Sequence, residues 1–460
     1  MHPWTAIGDS SRLSFWLRVR EYAVPPTVIE TATVRRQAGD WAGACAAAGI
    51  DIDLDLRLLA RTHGGELAAR VRSDLRHLAP DLLRWHMPRI APDGLLRPGV
   101  TVPLARYAEP DPARRARAHG HGRDCACDRG RPRDRGRPVH LVVRTPPAWA
   151  AAGQRMSLAL WDGSRDGGLI AAPRAHPQPR PHRRFRFDLH RHLWDARRTG
   201  ELRVRSGAAD RWPAEAAILL AAEEHPPGPV AVRVGARRRM VLDVRSAVLR
   251  PVVPADRAGL LPTLPDAASR VVPDLELLHA GLLDAAQLHP LVASALVPGY
   301  AAPAPPGDEG GGPQPGAGPR IVDCRGARHR IGFVDGALAA LDHDPGELRR
   351  EEMLVALTGT PLPCLQAIDA AHRNPECLTG VRERLDHGDI TGALAVVESL
   401  LGPDAVLRDG PLRDVLEEAL AGRIRYGMFR AGLGAARPNP APDRANRRAA
   451  RAHARRAGIG

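Results

Sequence analysis

The sequence predicts an α+β multidomain chain with a mainly helical N-terminal block, a central mixed α/β block, and a C-terminal β-meander followed by helices. Three observations carry this reading. Apolar residues recur at helical spacing up to residue 107. Short alternating or β-branched runs bounded by Gly and Pro follow residue 139. Three further short strands come after a Pro/Gly-rich stretch near residue 300.

In block 1–107, ETATVRRQAGDWAGACAAAG reads as a helix broken at Gly39, with Asp40 as the cap of the next. LRLLARTHGGELAARVRSDLRHLAPDLLRWH places Leu67, Val71, Leu75, Leu78, Leu82 and Leu83 at helical spacing before Pro88 ends the pattern. Block 139–298 contains the strand candidates VHLVVRTP, QRMSLALWDG, RFRFDLHRH, VAVRVGA and RMVLDVRS. The helix PAEAAILLAAEE interrupts them, and PDLELLHAGLLDAAQLHPLVASALV follows as two helices. Residues 299–319 are a Pro/Gly-rich linker. Block 320–434 opens with the strands RIVDCRG, HRIGFVDG and ALAALDHD, turning at Gly326 and Asp335-Gly336, and continues as helices. Asp389 is the expected cap of GDITGALAVVESLLG.

Composition excludes several chemistries. Among 460 residues there is no lysine, so all 66 basic residues are arginine. Walker P-loops, protein kinases and Schiff-base enzymes each need an amine that this chain does not supply. No run reaches the ~18 apolar residues of a membrane span, and MHPWTAIGDS lacks a signal-peptide profile, so a cytoplasmic protein is expected. The six scattered cysteines then read as reduced thiols.

The net charge of +14 is segregated. Residues 113–138 hold nine Arg against three Asp, 174–205 ten Arg against three acids, and 437–460 seven Arg against one Asp, which leaves the remainder net acidic. The first and last, within the insertion 108–138 and the tail 435–460, have few large apolar residues and are expected to be disordered. Such segments dock acidic proteins or nucleic acid, or are solvated spacers shaped by codon bias. The candidate contacts are Arg184 and Arg186 in the middle stretch and Arg447, Arg448, Arg451, Arg455 and Arg456 in the tail. In RFRFDLHRHLW, Phe185, Phe187 and Leu189 share one face if the segment is a strand. Exposed, they form a base-stacking platform; buried, they are core.

Site motifs are partial. GIDIDLDL sets Asp51, Asp53 and Asp55 at alternate positions, but as a calcium loop it fails at Leu56 and Thr62; alternation instead predicts a strand, with Asp55 capping the next helix. His119, His121, Cys125 and Cys127 offer zinc donors at HxH-x3-CxC, tighter than the usual knuckle. DCRGARHRIGFVDGALAALDHD gathers Asp323, Cys324, His329, Asp335, Asp342, His343 and Asp344. His343-Asp344 resembles the HD pair of metal-dependent phosphohydrolases, with His329 as third candidate, although capping a helix that starts near Pro345 is the simpler role for Asp344. Cys364 and His372 are about 12 Å apart if helical, too far for a nucleophile pair. Gly8-Asp9-Ser10 resembles the GDS block of one lipase group, without the preceding apolar strand.

RHLAPDLLRWHMPR, DCRGARHRIGFVDG and LTGTPLPCLQAID resemble blocks of an uncharacterised cytosolic family from GC-rich actinobacteria, a resemblance that implies no activity. The leading expectation is a non-catalytic interaction or scaffold protein that docks an acidic partner through arginines. The alternatives are a hydrolase, metal-dependent or acid/base, near the 320–345 meander, and a non-specific nucleic-acid-associated protein.

Overall fold

Helix starts and stops in the first block follow local chemistry. In the computed structural model, which describes residues 9–107, 138–163, 176, 178–205, 209–235, 238–253, 256, 259–300, 320–324, 327–334, 337–340, 342–344, 346, 349–350, 353, 363, 380–401 and 410–433, helix α1 (Asp9–Arg18) runs into a π-helical turn, Val19–Ala23. Pro26 opens α2 (Pro26–Gln37), and Gly39 at φ +79° reverses the chain. Asp40 Oδ1 accepts from Gly43 N at 2.8 Å and starts α3 (Trp41–Ala47). Strand β1 (Ile50–Asp53) follows. Asp55 then caps α4 (Leu56–His63) by accepting from Arg57 N at 2.8 Å and Leu58 N at 3.1 Å. Helices α5 (Gly65–Arg76) and α6 (Pro80–His86) complete the block, and a two-residue ladder of β2 (Arg89–Ile90) with β3 (Leu95–Leu96) leaves it.

Strands β4 (Thr101–Tyr107), β5 (Val139–Arg144) and β6 (Met156–Trp161) pair antiparallel, and β1 joins β6 in parallel with Ile50 opposite Met156, giving the order β1-β6-β5-β4. One apolar core results. It packs Leu59, Val71, Leu75, Leu82 and Leu83 from the helices against Val102, Leu104, Leu141 and Leu158 from the sheet, and against Leu277 of α8 (Pro273–His279) and Val292 of α9 (Pro290–Leu296). Each such side chain contributes about 1.5–3 kcal/mol by leaving water. The core joins residues that lie on both sides of the basic insertion.

The segment expected as the strand RFRFDLHRH is not one. Phe185 N donates to His182 O at 3.0 Å, Leu189 N to Arg186 O at 3.1 Å and His190 N to Phe187 O at 3.2 Å, after which Arg191–Leu193 is a 3-10 turn. Arg186 folds back on Asp188 through two side-chain bonds of 2.9 Å, and the local N–H to C=O bonds satisfy the backbone that a ladder would otherwise need. Phe185 and Phe187 are 6 % and 3 % exposed and belong to the core, which removes the base-stacking platform.

A second sheet, β7 (Pro229–Arg233), β8 (Arg239–Asp243) and β9 (Val248–Pro251), is an antiparallel meander against α7 (Trp212–Ala222), with Leu219, Val230 and Leu242 between them. The expected C-terminal meander is present as β10 (Arg320–Cys324), β11 (Ala327–Val334) and β12 (Ala337–Ala340), whose connecting turns lie outside the described residues. Helices α10 (Val381–Asp386), α11 (Ile390–Leu401) and α12 (Pro411–Ala431) follow, α11 being capped by Asp389 Oδ1 on Gly392 N at 2.9 Å.

The aspartates of GIDIDLDL attach α12 to the first sheet. Arg155 holds Asp51 at 2.6 Å, Tyr426 of α12 donates to the same carboxylate at 2.5 Å, and Arg430 pairs with Asp53. Each of the three carboxylates therefore has a partner within the fold.

Arg84, fully inside, ties the periphery together. Its Nε donates to Ala23 O at 2.9 Å, Nη1 to Gln154 O at 2.7 Å and, more weakly at 3.4 Å, to Ala48 O, and Nη2 to His387 O at 3.4 Å. Burial lowers its pKa to about 10, with Arg155 adding to the effect. His387, 2 % exposed beside these guanidiniums, is pulled down to about 4, mainly by burial, although its Nδ1 bonds Glu383 O at 2.9 Å.

Arg84→Met is expected to cost about 3 kcal/mol or more in urea unfolding, because buried carbonyls lose their donor, and Arg84→Lys is not expected to rescue it, since one ammonium cannot span the set. The native state holds His387 neutral, whereas the unfolded chain takes up the proton near pH 6.5. Stability should therefore fall as pH drops from about 6.5 to about 4, by about 3 kcal/mol from this residue, and then level off. Thermal melts of His387→Gln across that window should show a shallower slope.

Candidate functional site

The described part of the middle basic stretch forms one wall of a shallow cavity. Residues Gln178, Pro179, Arg180, Pro181, His182 and Arg183 line about 500 Å³ of space. The prolines restrict the backbone, and the segment is bonded to the free edge of β4: Thr101 Oγ1 donates to Gln178 O at 2.6 Å and His182 N to Thr101 O at 2.8 Å. Arg180 and Arg183 are exposed.

More arginines converge on this wall from other elements. Arg184 stacks over Phe185 with Cζ 5.2 Å from the ring and pairs with Asp266 at 2.6 Å, while Arg270 shares the same carboxylate at 3.3 Å. Arg97, from the turn before β4, and Arg233, at the end of β7, both act on His182. Its pKa is lowered first by burial and then by Arg184 and Arg97, with Asp266 opposing them. Arg233 itself is lowered first by burial and then by Arg184, with Asp266 opposing them and Arg239 and Arg97 adding smaller effects.

In the β7–β8 ladder, Arg233 is directly opposite Arg239. Like charges at such a position are destabilising, and among the described residues no carboxylate lies within ion-pair distance of either. Asp266 is thus the acid shared by a surface that presents a surplus of guanidiniums. Planar five-donor forks of this kind match carboxylates and phosphates in bidentate geometry.

The residues singled out from sequence fall in different places. Arg184 follows the cavity segment directly and is held by Asp266 at 2.6 Å. Arg186, 12 % exposed at the side chain, is held inside by Asp188 at 2.9 Å and Glu223 at 2.7 Å. His329 and His343 are brought together, with His329 Nδ1 2.7 Å from His343 Nε2. Asp344 is exposed, and its Oδ2 accepts from Gly346 N at 3.1 Å, the capping geometry. His119, His121, Cys125, Cys127, Cys364, His372 and the tail arginines Arg447, Arg448, Arg451, Arg455 and Arg456 lie outside the described residues, as does Gly8. Cys45 and Cys324 are buried free thiols.

Sequence reasoning missed Arg97, Arg233 and Arg239. A signal was present: VAVRVGA and RMVLDVRS read as adjacent strands, and the short connection between them puts an arginine at each side of the hairpin mouth. Comparison with protein-family models finds no match, and comparisons with curated proteins and with solved structures find none either.

Arg239→Glu turns the repulsive cross-strand pair into an attractive one. Melting temperature is expected to rise by about 1–2 °C at low ionic strength, with the gain shrinking as salt is added.

Proposed function

We propose that the chain is a non-catalytic docking protein that binds an acidic polypeptide segment on the arginine surface around residues 178–183. The observation that carries the reading is the Arg233–Arg239 pair, opposed across a ladder, with Arg233 near enough to act on His182 of a cavity whose lining adds Arg180 and Arg183. A fold that keeps two like charges face to face forgoes stability there, and an anionic ligand relieves the repulsion on binding.

Carboxylates along an extended peptide suit the site. The cavity is shallow, its lining is fixed to β4, and Arg97 and Arg233 from other segments act on its His182, so a partner of several charges gains more than a single ion does. The burial of Phe185 and Phe187 disfavours a single-stranded nucleic acid, which needs exposed rings for stacking.

The test is fluorescence anisotropy of labelled poly-glutamate peptide and of a duplex DNA with full-length protein over a salt series. The peptide is expected to bind with steep salt dependence, and Arg233→Ser/Arg239→Ser to weaken it about tenfold or more while melting no lower than the parent. Peptide binding that is unchanged in the double variant overturns the site. Tighter, variant-sensitive binding of the duplex would assign the surface to nucleic acid instead.

A further inference from the structure

The C-terminal meander carries a second, chemically different constellation, independent of the arginine surface. Cys324 closes β10, opposite Ala327 in the ladder, and its thiol is completely buried. His329 lies on β11 opposite Val322, and His343 follows β12 with only 9 % exposure. One ligand atom from each of the three, the thiol sulfur and a nitrogen from either ring, comes within 4.8 Å of the others. The two imidazoles meet edge to face, with ring centroids 4.2 Å apart.

We infer that Cys324, His329 and His343 form a Zn2+ site with three protein ligands and an open fourth position. Zinc takes thiolate at about 2.3 Å and imidazole at about 2.0–2.1 Å, which puts tetrahedral donors roughly 3.3–3.6 Å apart. The sulfur and nitrogens lie within 4.8 Å of one another, at most about 1.5 Å beyond that spacing. The 2.7 Å between the ring nitrogens requires the imidazoles to part by roughly half an ångström when the ion enters. Hard cations such as Mg2+ or Ca2+ prefer oxygen donors, so the thiol and imidazole set selects a softer ion.

Packing gives the ion a structural task. Among the described residues, the helices beside the meander bury a small cluster of six apolar side chains, Val381, Leu385, Ala393, Val397, Leu412 and Leu416, and α11 is the helix that packs on β11 and β12. A metal that links Cys324 at the end of β10, His329 of β11 and His343, three residues past β12, ties all three strands together.

The experiment uses the full-length chain in a Cys125→Ser/Cys127→Ser background, so that the HxH-x3-CxC segment cannot supply thiolates. The probe is Co2+, then Zn2+ in competition. The expected result is one Co2+ per chain with a thiolate-to-metal charge-transfer band, displacement by Zn2+, and a higher melting temperature with metal. Cys324→Ser should abolish the band and His329→Gln the stoichiometric retention, with circular dichroism confirming that each variant is folded. If Cys324→Ser does not fold, loss of retention in folded His329→Gln decides the matter. No band in the background chain, or a band that survives in Cys324→Ser, or full retention by His329→Gln, overturns the site.

Discussion

The architecture depends on one buried cation, Arg84, that is solvated by carbonyls rather than paired with a carboxylate. Arg84 comes from α6 and reaches the end of the π-helical turn, the loop before β6, the turn after α3 and the C-terminal end of α10. Beside it, Arg89 is also enclosed, donating to Arg84 O and Gly94 O at 2.7 Å each. An ammonium in the same place would satisfy fewer acceptors and would shed its proton more readily. The guanidinium stays charged, and its planar fork fixes the directions from which the peripheral segments approach.

A lysine-free chain uses arginine for every such task, and the structure separates two uses. Where acids are nearby, the fork is bidentate or shared inside the fold: Asp74 is held by Arg191 at 2.5 Å and Arg197 at 3.0 Å while accepting from Tyr107 at 2.8 Å, and Glu215 is held by Arg205 at 2.6 Å. These contacts bind α5 and α7 to the turns of residues 186–205. Around residues 178–183 arginine outnumbers acid, and the same residue type becomes a recognition surface. Net charge distinguishes neither use; the presence of a facing carboxylate does.

The basic stretch 174–205 shows why composition and placement diverge. Arg184 and Arg186 are two residues apart and were equivalent as candidates, yet one pairs with Asp266 beside the cavity segment and the other is enclosed between Asp188 and Glu223. The turn at Arg186 decides this, and it depends on Asp188 being close enough to fold the chain back. Alternation of Phe185, Phe187 and Leu189 concealed that turn, because period-2 spacing is also what a buried turn shows when its two aromatics point into one core.

Sequence by itself determined the elements whose physics is local. Asp40, Asp55 and Asp389 cap helices because a carboxylate beside the first turn finds unpaired N–H groups within two or three residues, and β7, β8 and the strands of the C-terminal meander follow from alternation between turn residues, whereas β9 was not legible. It also placed Cys324, His329 and His343 in one short meander. Tertiary structure decided the rest: that β1 inserts beside β6 and its aspartates receive α12, that Arg84 is inside, and that His329, His343 and Cys324 converge while Asp344 remains a cap. The physical reason is range. Caps and turns are fixed by neighbours along the chain, whereas buried charge and ligand convergence depend on groups as much as 375 positions apart, such as Tyr426 and Asp51, whose meeting only the packed core specifies.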